Sequence, residues 1–311
     1  MEYIKGMNFA PFHKRGTLEK EETKESFHYM LEHTGANFII LSPSGLQNTA
    51  QSEEICYTSS ATFSDEELRN MIRYAKSCHV KVALKPTVNC KNGVWRAYVS
   101  FFEKDVVCEP KWVNWFQSYT DFQLHYAKIA QEEQCDMLLL GCEMVMTEHR
   151  EKEWRTLIQD VREVYDGLLS YNTDKYQEDN IKWWDAVDVI SSSGYYPIDD
   201  WERQLDRIEG VVKKFQKPFF FAEAGCMSRK GSKMVPNNWE LEGELRLEEQ
   251  VEWYEAMFRA CQTREWIRGF CMWDWAPTMH TKKEAQKNSG YEICRKPVQE
   301  VIQQFYSRQN A

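Results

Sequence analysis

Met137-Leu138-Leu139-Leu140-Gly141-Cys142-Glu143 is an apolar run closed by an acid. It is short for a helix. It has the composition of a parallel strand covered on both faces, which reads as a near-continuous hydrophobic stretch. Pro218-Phe219-Phe220-Phe221-Ala222-Glu223 repeats the plan. Working outward from Met137–Gly141 and Pro218–Ala222, six further runs appear near Tyr3–Asn8, Asn37–Ser42, Val80–Lys85, Gly167–Asn172, Val187–Ser192 and Ile267–Trp273.

Helical patterns separate these runs. Ser64 and Glu67 have capping-box spacing, in which hydroxyl and carboxylate satisfy orphan amides at a helix start. Leu68, Met71, Ile72 and Ala75 then share one face. Trp112, Trp154 and Trp201 begin three more amphipathic stretches. Gly35 suits the residue after a helix end, and Pro297 suits the first position of the last helix. Strands alternating with helices imply parallel pairing through crossovers. Eight such units predict an α/β fold, a single (β/α)8 TIM barrel forming one domain over residues 1–311. A doubly wound open sheet is the alternative. It would usually carry a glycine-rich phosphate turn after its first strand, and Phe9-Ala10-Pro11-Phe12 has none.

Composition narrows the function. A net charge of -9 and a pI near 5.5 argue against a nucleic-acid partner. No window supplies the ~18 apolar residues of a membrane span. The start, Met1-Glu2-Tyr3-Ile4-Lys5-Gly6, reads as a strand and not as a signal peptide. The ten cysteines form no C-x-x-C pair, and Cys135, Cys142, Cys226 and Cys271 fall in core runs. A reduced, cytoplasmic protein is expected. The seven histidines show no zinc spacing, and neither a Walker nor a G-x-G-x-x-G loop is present. No metal or cofactor is expected.

An acid directly after a buried strand is costly unless it is paired or used. Glu143 and Glu223 close the fourth and seventh predicted strands, and at the C-terminal rim of a barrel both can face one cleft. Two carboxylates so placed are what glycoside hydrolysis needs, one as proton donor and one as nucleophile. The pattern-poor stretches Asn89–Pro110 and Gly225–Glu242 follow predicted strands and are expected to wall that cleft. The many aromatic residues, 12 Trp, 15 Tyr and 16 Phe, serve core packing and can also stack on sugar rings.

Taken in order, Gly6-Met7-Asn8-Phe9, Gly141-Cys142-Glu143, Gly194-Tyr195-Tyr196-Pro197, Phe221-Ala222-Glu223-Ala224-Gly225, Trp273-Asp274-Trp275 and Lys296-Pro297 resemble glycoside hydrolase family 113, the β-mannanase family of clan A. The resemblance covers nearly the whole chain. It implies a retaining glycoside hydrolase acting on β-1,4-mannosidic linkages in mannan-derived oligosaccharides by double displacement. Its expected partner is a β-mannoside or manno-oligosaccharide. It implies Glu143 as acid/base and Glu223 as nucleophile, Tyr196 as the hydroxyl contacting the nucleophile, and Trp273 as the floor of the subsite on the non-reducing side, with Trp275 extending that wall. A β-glucosidase or cellulase-like enzyme, and a carbohydrate-binding barrel without activity, are the alternatives.

The sequence departs from the clan at Cys142, where many members have the asparagine that binds the sugar 2-hydroxyl. That contact must then come from elsewhere or be absent. Asn8, Ser42, Lys85 and Asn172 end other predicted strands and are candidate hydroxyl binders. Lys85 is equally a candidate to pair with an acid. Trp95 is either a stacking platform or a loop anchor. Cys142 and Cys226 are read as small packing residues.

Overall fold

In the computed structural model, which describes residues 1–309, ten strands and eight helices are seen. The strands are β1 (Ile4–Phe9), β2 (Phe38–Leu41), β3 (Ser44–Gln47), β4 (Lys81–Leu84), β5 (Thr87–Cys90), β6 (Met137–Cys142), β7 (Leu168–Thr173), β8 (Val189–Ser193), β9 (Phe219–Ala224) and β10 (Ile267–Trp275). The helices are α1 (Glu21–Thr34), α2 (Asp65–Ser77), α3 (Trp112–Glu132), α4 (Glu151–Arg162), α5 (Trp201–Phe215), α6 (Leu247–Cys261), α7 (Lys282–Ala285) and α8 (Val298–Arg308). Eight strands close into a barrel in the order β1-β10-β9-β8-β7-β6-β4-β2, with every neighbouring pair parallel. These are the eight runs read from the sequence, with ends agreeing within two residues. The open doubly wound sheet is thereby excluded. Asn310 and Ala311 lie outside the described residues.

Strand alternation divides the core in two. Ile4, Phe38, Ile40, Ala83, Met137, Leu139, Val189, Phe220, Ala222 and Cys271 fill the barrel interior. The opposite faces pack under the helices, where Leu68, Met71, Ile72 and Ala75 of α2 are buried as their spacing required. The Ser64–Glu67 capping box is present at the start of α2. Gly35 ends α1 at φ 70°, its N–H donating to Leu31 O at 3.0 Å. No described helix is long and apolar enough to cross a membrane.

The remaining two strands were not anticipated. β3 and β5 pair in parallel as a small separate sheet, continuing the chain past the ends of β2 and β4 at the rim. Each has four residues, too few for a period to stand out. The segment that follows β5 carries Trp95 and Arg96 to the barrel mouth.

Candidate active site

At the C-terminal rim lies a cleft of about 660 Å³. Phe12 enters it from the loop after β1, and Asn89, Trp95 and Arg96 from β5 and the segment beyond it. Glu143 follows β6, Asp174 and Lys175 follow β7, and Tyr195 follows β8. Glu223 of β9, Asn237 and Trp239 of the next loop, Trp273 and Asp274 of β10, and Tyr291 complete the wall. Both pattern-poor loops therefore reach the cleft.

Glu143 is held at the end of β6 by an irregular backbone. Its φ is 53° and that of Gly141 is 122°, and the Glu143 N–H donates to Asn172 O at 2.8 Å. Gly141 has to be glycine twice over. Its φ lies where side chains are strained, and a Cβ there would sit 2.1 Å from the Tyr119 hydroxyl. On the acid itself, Ser193 Oγ donates to Oε1 at 2.7 Å. Trp95 Nε1 and Arg96 Nη1 both donate to Oε2, at 3.2 Å and 3.3 Å.

Glu223 sits inside β9, one position before the strand ends. Tyr195 donates its hydroxyl to Oε2 at 2.9 Å. Lys85 forms an ion pair with Oε1, and Cys142 Sγ donates to the same oxygen at 3.3 Å. Burial alone would push the Glu223 carboxyl up. The charge of Lys85, its hydrogen bond, the charge of Arg96 and the Tyr195 hydroxyl together outweigh burial and hold it below the usual carboxylate range. The pair keeps Lys85 charged in turn, against its own burial. The Cys142 thiol is pushed well above its ordinary range, first by burial and then by Glu223, so it is a donor and not a thiolate nucleophile.

The two carboxylates are neighbours. One oxygen of Glu143, one of Glu223 and the Cys142 sulfur lie within 4.8 Å of one another. Lys85 and Arg96 already neutralise both acids, which argues against a bound cation as a third partner. A hydrogen-bonded chain links the pair behind the cleft. Lys85 Nζ donates to Asn172 Oδ1 at 3.2 Å, and Asn172 Nδ2 donates to Ser193 Oγ at 3.0 Å.

The other residues singled out in the sequence divide sharply. Trp95 and Trp273 line the cleft. Lys85 and Asn172 lie beneath it, in the supporting chain. Tyr196 does not reach Glu223. It is fully buried on the outer face of β8 and bonds Glu178 instead, and its neighbour Tyr195 makes the contact expected of it. Trp275 is core, fully buried, with Nε1 donating to Ser26 Oγ of α1 at 3.1 Å. Asn8 is turned into the barrel wall, where Nδ2 donates to Ala222 O at 2.9 Å and Cys271 O at 3.2 Å. Ser42 is buried and does not line the cleft. Cys142 does more than pack, because it touches Glu223, whereas Cys226 is buried against Ser232. Arg96, Ser193, Tyr195 and Asp174 were not anticipated. Of these, Tyr195 alone stood in a motif that carried the family resemblance, beside Tyr196.

The model of Glycoside Hydrolase Family 113 matches residues 7–296. The chain belongs to glycoside hydrolase family 113. Solved members of the family superpose closely. A GH113 β-1,4-mannanase structure is 52% identical over 99% of each chain, with a TM-score of 0.97. The GH113 β-mannanase of Alicyclobacillus acidocaldarius, solved in complex with ManMIm, is 36% identical over 99% of this chain and 98% of that one, with a TM-score of 0.96. The β-glucuronidase of Ruminococcus gnavus shares the barrel alone, at 17% identity over 98% of this chain and 50% of that one, with a TM-score of 0.65. No curated protein matches the chain.

Proposed function

We propose that the protein is a retaining glycoside hydrolase that cleaves β-1,4-mannosidic linkages in manno-oligosaccharides, with Glu223 as nucleophile and Glu143 as acid/base. The carboxylate spacing carries the reading. Retaining enzymes hold the pair about 5–5.5 Å apart, and inverting enzymes leave about 6.5–9.5 Å for a water. In the present pair one oxygen of each acid lies within 4.8 Å of the other, which fits the closer arrangement, in which the second acid attacks the anomeric carbon. The sugar assignment rests on the two related mannanases named above.

The surroundings suit the two roles. Lys85 and Tyr195 keep Glu223 ionised and fix both of its oxygens, as a nucleophile requires. Glu143 faces the cleft beside it. In the first step Glu143 gives its proton to the departing glycosidic oxygen while Glu223 bonds to the anomeric carbon. In the second, Glu143 takes a proton from water, the water oxygen attacks that carbon, and Glu223 leaves as a carboxylate. Trp273 presents a ring to the cleft on which the sugar C–H face can stack. The exposed thiols of Cys56 and Cys108 suit the cytoplasm, the compartment we propose, where free thiols persist.

Hydrolysis of p-nitrophenyl β-mannoside and mannotriose tests the reading. Wild type is expected to cleave at least one of them. Glu223→Gln and Glu143→Gln are each expected to lose several orders of magnitude in kcat on mannotriose, with the fold unchanged by circular dichroism. Activity on β-glucosides with none on mannosides would keep the carboxylates and reject the sugar. Full activity in either variant would reject the assigned roles.

A further inference from the structure

We propose that Arg96 is a positioning residue that fixes and aims the Glu143 carboxylate for the second half of the double displacement, when that group acts as base. This role rests on the retaining mechanism proposed above. It follows from which atoms meet at Glu143.

Oε2 receives the indole N–H of Trp95 and a guanidinium N–H of Arg96. Neither group can accept a hydrogen bond in return. A proton on Oε2 would therefore point at two donors, so this edge of the acid is built for a carboxylate. At the other edge, Oε1 accepts from Ser193 Oγ, which in turn accepts from Asn172 Nδ2. Both oxygens of Glu143 are thus held by donors.

Arg96 is fixed independently of the acid. Its Nε donates to Val88 O at 2.9 Å, and its Nη2 donates to Asn89 Oδ1 at 2.9 Å, both from β5. Its guanidinium lies over the Phe12 ring, 5.8 Å from the centroid. Buried and tethered, it keeps one nitrogen on Glu143 at little further entropic cost. The other charged groups facing Glu143 are already paired or of the opposite kind. Lys85 from β4 is tied to Glu223 of β9, and Lys175 to Asp174 beyond β7. Asp174 opposes the Glu143 charge. Arg96 is the cation in ion-pair contact with Glu143.

The consequence falls on the second step. Once the glycosyl–enzyme ester forms, Glu223 has lost its charge and Glu143 has given up its proton. Arg96 then faces a carboxylate that must accept a proton from water, and it keeps that carboxylate aimed.

The test compares wild type, Arg96→Gln and Arg96→Lys on two substrates. Mannobiose has a poor leaving group and needs the acid. For 2,4-dinitrophenyl β-mannoside the leaving group needs no proton, so turnover waits on the second step. In Arg96→Gln the loss on mannobiose is expected to be the smaller of the two. On the dinitrophenyl glycoside, kcat is expected to fall at least ~10-fold, part of the ~10²–10⁴ that a general base supplies. KM is expected to fall with it as the intermediate accumulates. Arg96→Lys is expected to restore most of both effects. The fall in KM does not depend on how much of the variant folds. An unchanged KM, with equal losses on both substrates, would overturn the proposal and leave Arg96 a structural residue. Wild type inert on both mannosides would contradict the functional reading itself, and this role with it.

Discussion

Tyr195 and Tyr196 stand side by side just past the end of β8, and their side chains part to opposite sides of the barrel wall. Ser193 points inward onto Glu143, and Tyr195 onto Glu223. Ser192 and Tyr196 point outward and share Glu178, which is also paired with Arg207. Tyr195→Phe is expected to lower kcat/KM on mannotriose at least ~10-fold with little change in melting temperature, since a hydrogen bond to a charged group is worth about 1.5–3 kcal/mol. Tyr196→Phe is expected to keep activity per folded molecule and cost about 1–3 kcal/mol of stability, by leaving buried Glu178 short of a donor. Steady-state kinetics and thermal melts on both variants check this. Glu143 and Glu223 were legible because an acid closing an apolar run has few structural uses. Tyr195 was less legible, because it lies past the end of β8 and beyond a register irregularity at Ser192 and Ser193. Arg96 was not legible, because the loop that carries it has no period and its meaning comes from Glu143, 47 positions away. Trp275 misled because the register with β1 shifts between Met7 and Phe9, the stretch opposite it.

At the level of elements, α2 shows how a local signal becomes a tertiary one. Glu67 completes the capping box with Ser64 and is nonetheless buried. Its carboxylate also accepts from Leu18 N at 2.7 Å and Gly16 N at 3.0 Å, in the loop before α1. Ser64→Ala is expected to cost about 1 kcal/mol, the usual value of a cap. Glu67→Ala is expected to cost more, about 1–3 kcal/mol for each buried amide left without an acceptor. Urea denaturation of the two variants gives the comparison. Barrel strands were readable because burial on both faces leaves unbroken apolar runs, as in Phe219-Phe220-Phe221. β3 and β5 were not. Ser44–Gln47 and Thr87–Cys90 are short and mixed in character, and their pairing depends on β2 and β4 ending side by side.

Across the whole molecule, several acids near the cleft take up protons on folding. Burial pushes Glu148 up to about 8. Burial and then the charge of Glu143 push Asp174 up to about 7, and burial with Glu292 does the same for Asp274. Each binds a proton more tightly folded than unfolded, so its contribution is present at low pH. It is lost as pH rises from the usual carboxylate range toward 7 or 8. Glu223 acts in the opposite sense, but below the usual carboxylate range. Lys296, pushed down to about 8 by burial, adds stability with rising pH only above that value. The melting temperature is therefore expected to decline between about pH 5 and pH 8. Glu148→Gln, which mimics the neutral acid, is expected to flatten that decline, and equal slopes in the two proteins would refute it. At the same scale the barrel brings two acids 80 positions apart in sequence to within 4.8 Å of one another. Proton NMR of the first-formed product from mannotriose measures the outcome of that placement. Release of the β-anomer, later mutarotating, is the result expected of a retaining pair. Initial release of the α-anomer would mean inversion and would contradict the account.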